Sequence, residues 1–186
     1  MRLVVAISGA SGVNLGIKFL NLLPKDIEAF VVVSESAKIA LKYENSSAFD
    51  NLTNQKNITI FKNSDIAAPI ASGSFKIDKM AIIPCSMNTL AKCTYGLADN
   101  LITRAFAVSL KEKREVLIAP REMPFSQIPL ENMTKLSSMG VTISPPILGY
   151  YSNNSTIDEM ENFIIGKWYD SLKIENNLYK RWKSDE

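Results

Sequence analysis

Not one of the 186 residues is a histidine. That absence removes the side chain that titrates nearest neutrality and the commonest nitrogen ligand for metals, so a Ser-His-Asp triad, a Cys-His pair and a His-ligated zinc are all excluded. Proton transfer must fall to Glu, Asp, Lys, Tyr, Ser or a group on a bound cofactor. Cysteine is scarce as well: Cys85 and Cys93 are the only two, without CxxC spacing. A disulfide framework or thiolate metal site is therefore not expected, and a reducing, cytoplasmic compartment is. Long apolar runs are missing too. The stretches 29–33 and 80–85 fall far short of the ~20 residues that span a bilayer, and the apolar N-terminus leads straight into a glycine turn, as a first strand does and a signal peptide does not. Nor does one sign of charge dominate. The 21 Lys and Arg face 19 Asp and Glu, a net charge of +2, and their dispersal offers no electrostatic basis for binding nucleic acid or an anionic membrane.

What is present suits one globular domain over residues 1–186, at 46% apolar and 22% charged residues. Leu3 to Ser8 and Ala29 to Ser34 read as buried strands, and between them Val13, Gly16, Ile17, Leu20 and Leu23 fall at helical spacing from about Gly12, with Pro24 beyond. Strand, glycine turn, helix and strand make a right-handed parallel crossover. Ile58 to Phe61, Lys79 to Pro84, Glu115 to Ala119 and Val141 to Ser144 predict further strands. Asp99 is the expected N-cap of a helix reaching about Arg114, and Thr156-Ile157-Asp158-Glu159 has the capping-box pattern of a helix ending near Leu172. The alternation predicts α/β architecture with a mostly parallel sheet flanked by helices. From about residue 173 the chain is expected to pack as a tail on a neighbouring surface, with Trp182 as anchor.

Gly9-Ala10-Ser11-Gly12 joins the first strand to the first helix, where small residues let backbone N–H groups meet an anion such as a nucleotide or flavin phosphate. A tight turn needs glycine anyway, which is the plainer alternative. Ser34 ends the second strand beside that turn, and Pro84-Cys85-Ser86-Met87-Asn88-Thr89 offers hydroxyls and an amide after another strand. Each is equally a helix cap. Ala71-Ser72-Gly73-Ser74-Phe75 has the small residues of a flexible ligand cover or of an ordinary loop. Arg104 and Lys111 share a helix face, forming with Arg121 either a cationic site or a solvated stripe. Arg121-Glu122-Met123-Pro124 follows a buried strand, where an Arg can clamp phosphate and a Glu can carry a proton. In the last helix Lys167 interrupts the stripe Met160, Phe163, Ile164, Trp168 and Leu172, so it either snorkels or meets an anionic ligand.

Ile7-Ser8-Gly9-Ala10-Ser11-Gly12, Ala71-Ser72-Gly73-Ser74-Phe75, Pro84-Cys85-Ser86, Thr103-Arg104-Ala105, Leu110-Lys111-Glu112 and Arg121-Glu122-Met123-Pro124 together resemble, in order and spacing, the UbiX flavin prenyltransferases, from residue 1 to about Trp182. The resemblance implies a single flavodoxin-like (Rossmann-like) domain, a homo-oligomer of dodecameric type, and FMN bound between subunits by Gly9, Ala10, Ser11, Ser34, Ser86, Met87, Asn88, Thr89 and Arg121. It further implies that Tyr151 and Lys167 hold dimethylallyl phosphate with Arg104 and Lys111 nearby, that Glu44 and Glu122 assist proton handling, and that no metal is used. Reduced FMN would be prenylated at N5 and C6, and the product would serve a UbiD-type decarboxylase. The sequence departs from the family pattern at Asn88, where a lysine is common, at Lys167, where most relatives carry arginine, and in Tyr150-Tyr151-Ser152-Asn153-Asn154, which lacks the usual proline. Related flavin-dependent cysteine decarboxylases rely on a histidine that is absent here. A non-catalytic FMN-binding module would account for Ser11 and Ser86 but leaves Lys111, Glu122 and Lys167 unexplained, and an oligomer without a ligand explains less still.

Overall fold

In the computed structural model, which describes residues 1–45, 52, 55–152 and 154–183, β1 (Arg2–Ile7) and β2 (Glu28–Val33) bury every residue after the first. Strands covered on both faces read as such unbroken apolar runs. With β3 (Ile58–Lys62), β4 (Lys79–Cys85), β5 (Glu115–Pro120) and β6 (Thr142–Ile143) they form a six-stranded sheet in the order β3-β2-β1-β4-β5-β6, with every neighbouring pair parallel. Parallel neighbours need crossovers. The chain supplies α1 (Val13–Asn21), α2 (Glu35–Glu44), α3 (Met87–Tyr95), α4 (Leu101–Lys111), α5 (Gln127–Ser138) and α6 (Ile157–Ser171). This is the expected flavodoxin-like α/β fold. No helix among the described residues is long and apolar enough to cross a membrane.

Because successive side chains of a strand point to opposite faces, β1 feeds two cores. Leu3, Val5 and Ile7 join Val31, Val33 and Ile83 under α1, α2 and α6, whereas Val4, Ala6, Val32, Ile82 and Ile118 join α3, α4 and α5. Cys85 and Cys93 are free and buried in the second core, and burial pushes the Cys93 thiol up to about 12, so neither is a ready nucleophile.

The capping box at α6 forms as expected: Thr156 Oγ1 accepts from Glu159 N at 3.2 Å, and the Glu159 carboxylate accepts from Thr156 N at 3.0 Å. The expected cap at Asp99 moves by one residue. Asn100 Oδ1 accepts from Thr103 N at 3.1 Å, while the Asp99 carboxylate is drawn 2.6 Å from Lys92 Nζ at the last turn of α3. The helix also stops at Lys111 rather than Arg114, because Lys113 takes a left-handed φ of 55°.

Two bonds lock α6 to the sheet layer. Trp168 Nε1 donates to Ser144 O at 2.9 Å beyond β6, and the Tyr169 hydroxyl donates to Phe19 O on α1 at 2.5 Å, its ring edge-on to Phe19 at 4.7 Å. Burial pushes the Tyr169 phenol far above its ordinary value, so it stays a donor. Removing that hydroxyl leaves the buried Phe19 carbonyl without its side-chain partner, so Tyr169→Phe is expected to cost about 1–3 kcal/mol. A lowered urea midpoint at unchanged slope is the expected measurement.

Candidate active site

Strand order reverses between β1 and β4, so their outgoing turns diverge and open a crevice at the carboxyl ends of the strands. Ser8 stitches the two turns together. Its Oγ, in a residue 1% exposed, donates to Pro84 O at 3.1 Å and accepts from Ser86 N at 2.8 Å. Ser86 Oγ in turn accepts from Thr89 N at 3.3 Å as the N-cap of α3, and Ser34 Oγ accepts from Ala37 N at 3.1 Å as the N-cap of α2. The helix-cap alternative thus holds for both serines. It does not exclude a ligand, since a capped helix still aims the first-turn N–H groups, here those of Met87 and Asn88, at the crevice. Arg121 follows directly alongside, its backbone N bonded to Cys85 O at 3.0 Å.

The N-terminus of α1 is already occupied. Glu44, the last residue of α2, accepts from Gly12 N at 2.7 Å and from Asn14 N at 3.1 Å. An internal carboxylate therefore takes the place that the Gly9–Gly12 turn was expected to offer a phosphate, and the same contact makes Glu44 a buttress of that turn. A ligand phosphate is left with the α2 and α3 ends, Ser11 and Arg121.

Beyond β5 and β6 lies a cleft of about 370 Å³, lined by Pro120 to Phe125 on one side and by Pro145, Pro146 and Ile147 on the other. Arg121 and Glu122 are its charged lining residues; prolines, Phe125, Met123 and Ile147 make the rest apolar. Donor-rich turns at the β1 and β4 exits, with Arg121 and an apolar-walled cleft on the adjoining β5 side, fit an amphipathic anion with a flat ring system, which FMN is.

Of the remaining site candidates, Lys111 lies at the opposite end of β5 from this cleft. Arg104 and Lys111 lie on α4, and Lys111 immediately precedes β5 whereas Arg121 follows it, so about 20 Å of strand separates them. A single cationic site from Arg104, Lys111 and Arg121 is therefore not built by one chain. Arg104 Nε donates to Ala71 O at 3.2 Å, Arg114 Nη2 donates to Gly73 O and Phe75 O at 3.0 and 2.9 Å, and Lys111 is ion-paired with Glu112. The Ala71–Phe75 segment is thus stapled along α4 rather than left loose. On α6, Lys167 is exposed: the buried face widens to Ile165, Gly166 and Tyr169, so the cation leaves the stripe for solvent. Tyr151 packs edge-on against Phe163 of the same helix at 5.6 Å. Asn153 lies outside the described residues.

Several site-forming residues are not singled out by their sequence pattern. Ser8 sits at the end of a strand like any small residue, and only the fold shows that it bridges two turns. Phe125 and Ile147 belong to segments without periodicity, although Pro145-Pro146 directly after a strand is a signal that the backbone there leaves the sheet.

A family model described as Flavoprotein matches residues 1–168. The flavin prenyltransferase UbiX of Helicobacter pylori is 50% identical over 98% of both chains, and that of Campylobacter jejuni 44% identical over 99% of this chain and 100% of the other. Among solved structures, a dodecameric FMN-dependent UbiX-like decarboxylase from Escherichia coli O157:H7 superposes with a TM-score of 0.93 at 39% identity, covering 99% of this chain and 100% of that one. AnUbiX in complex with FMN and dimethylallyl pyrophosphate superposes with a TM-score of 0.92 at 35% identity, covering 98% and 97%. With nearly its whole length matched to these relatives, the chain belongs to the UbiX flavin prenyltransferase family of flavoproteins.

Proposed function

We propose that the protein transfers the dimethylallyl group of dimethylallyl phosphate to reduced FMN. The observation that carries this reading is the cleft whose charge is confined to Arg121 and Glu122 amid apolar walls, opening beside the turns that Ser8 joins. Reduced FMN supplies the nucleophilic N5 and C6 positions that take up the five-carbon unit. Gly9, Ala10, Ser11, Ser34 and the segment Ser86 to Thr89 bind it through hydroxyls and backbone N–H groups, and Arg121 balances its phosphate. Asn88 contributes an amide where a lysine would add charge.

Loss of phosphate from the allylic donor needs positive charge, a proton on the departing oxygen and exclusion of water. Glu122, in the lining of the cleft, hands that proton over. Tyr151, Lys167, Lys111 and Arg104 supply hydrogen bonds and charge to the donor phosphate, and because Lys111 lies a strand's length from the cleft of its own chain, a neighbouring copy brings it there. The active assembly is accordingly a homo-oligomer, and a dodecamer like that of the E. coli relative is the proposed form. The outer surface of the tail beyond residue 173 packs on a neighbour in that assembly. Glu44 steadies the Gly9–Gly12 turn and serves as base towards the flavin when it gives up these bonds. The product, prenylated FMN, passes to a UbiD-type decarboxylase.

Anaerobic incubation with reduced FMN and dimethylallyl phosphate is expected to yield FMN carrying one added five-carbon unit by mass spectrometry; its absence would refute the assignment. Ser8→Ala removes the acceptor of a buried Ser86 N–H, and titration should show FMN binding weakened by roughly 1–3 kcal/mol. Glu122→Gln, which deletes only the transferable proton, is expected to keep FMN and lose most turnover. Lys167→Met should weaken the donor by about ten- to a hundredfold, the loss of a charge-assisted contact of roughly 1.5 to 3 kcal/mol, whereas Lys167→Arg restores a fork and should retain activity.

A further inference from the structure

After α6 the chain turns back on itself and ends in a cluster of polar and aromatic contacts centred on Asp170. Its carboxylate accepts from both terminal nitrogens of Arg181, Nη2 to Oδ1 at 2.8 Å and Nη1 to Oδ2 at 2.9 Å. It also accepts from the Tyr179 hydroxyl at 2.5 Å and from Asn176 Nδ2 at 2.9 Å. Burial raises the Asp170 pKa, but the hydrogen bonds from Arg181, Tyr179 and Asn176 outweigh it and bring the group down to about 2. At neutral pH it is a fixed charge with a full set of donors. The Arg181 guanidinium additionally lies 5.1 Å over the Tyr179 ring.

Two consequences reach Tyr151 and Lys167. The Tyr179 ring lies so close to α6 that a Cβ on Gly166 would stand 2.5 Å from its Cδ1, which places the tail directly beside the backbone of Lys167. The residue after Arg181, Trp182, is edge-on to Tyr151 at 5.6 Å, while Phe163 meets Tyr151 at 5.6 Å and Tyr179 at 5.1 Å. Tyr151 is thus held between a helix residue and a tail residue, and the tail residue follows directly on the arginine that Asp170 grips. An exposed ion pair alone would contribute little; four donors on one carboxylate, two of them the arginine fork, fix a geometry.

We infer that Asp170 is a positioning residue for the donor phosphate: by clamping Arg181 and Tyr179 it seats the tail in the Gly166 notch, and Trp182 then sets Tyr151 beside Lys167. This rests on the reading that Tyr151 and Lys167 hold that phosphate. No bond is made or broken by Asp170, which touches neither substrate nor flavin; its effect is geometric, and misplacing a binding group by about 1 Å can cost on the order of a hundredfold.

Two variants release the tail by independent routes. Asp170→Asn removes the charge that grips Arg181, and Gly166→Ala fills the notch while leaving Asp170 intact and favouring the helix. In the FMN-loaded protein both are expected to speed amide hydrogen exchange across 174–183, measured by mass spectrometry, and to weaken dimethylallyl phosphate binding by calorimetry about tenfold or more, with FMN affinity unchanged. Lys167→Met in the same titration separates the two levels. Weakened binding in Lys167→Met but ordinary binding in both tail variants would leave the site reading standing and overturn the positioning role. Ordinary binding in Lys167→Met would overturn the site reading and the positioning role with it. Unchanged exchange of 174–183 in both variants would overturn the clamp itself.

Discussion

A parallel sheet sheathed by helices on both faces leaves polar chemistry one place to go, the ends of its strands. Every side chain of β1 after Arg2 is consumed by one of two cores, so groups that meet a ligand must come from the turns that follow. The strand order then decides which turns matter. Outgoing connections part between β1 and β4, and there the chain places its glycine turn, its capped α3 and, one strand further, Arg121 and Glu122. Ser8 makes this a site rather than a gap: its buried hydroxyl and its backbone N–H, which donates to Pro84 O at 3.1 Å, hold the β1 and β4 exits together, so the amides of both turns share one frame.

Without histidine, the charges around that frame are spent sparingly. Glu44 accepts from Gly12 N and Asn14 N and so neutralises the positive end of α1 from within the chain. Glu122 lines the cleft with prolines and Phe125 but stays exposed, its carboxylate accepting from Met123 N at 3.1 Å. The cations expected at the donor phosphate lie elsewhere, on the exposed sides of α4 and α6. The crevice is framed by hydrogen bonds within one chain, while Arg104, Lys111 and Lys167 stand on helix surfaces.

Helix α6 serves both tasks. Its inner face carries Trp168 and Tyr169, whose polar tips bond Ser144 O and Phe19 O and fix the helix against the sheet layer. Its outer side carries Lys167 and receives the returning tail. The rigidity of the inner face is what lets Asp170 act at a distance, because a clamp positions a neighbouring side chain only if the element bearing it does not move.

Strand runs, helix spacing and the capping box at Thr156 were legible in the sequence, because these depend on burial and on bonds within a few residues. The motif set was equally legible as a family resemblance. The N-cap at residue 100 rather than 99 was not, since Asp99 is claimed by Lys92 from the preceding helix. Lys167 shows the same boundary: periodicity places it in an apolar stripe, but how wide that stripe is depends on α1 and the tail, which pack on the helix from distant parts of the chain. Likewise Glu44, read as a base from resemblance, proves to cap α1 across 32 residues of sequence separation. The sequence by itself determined the kind of fold and the residues available for chemistry, through local periodicity and composition. Tertiary structure alone decided which of them share a crevice, because hydrogen bonds such as Ser8 to Ser86 join groups that no local pattern relates.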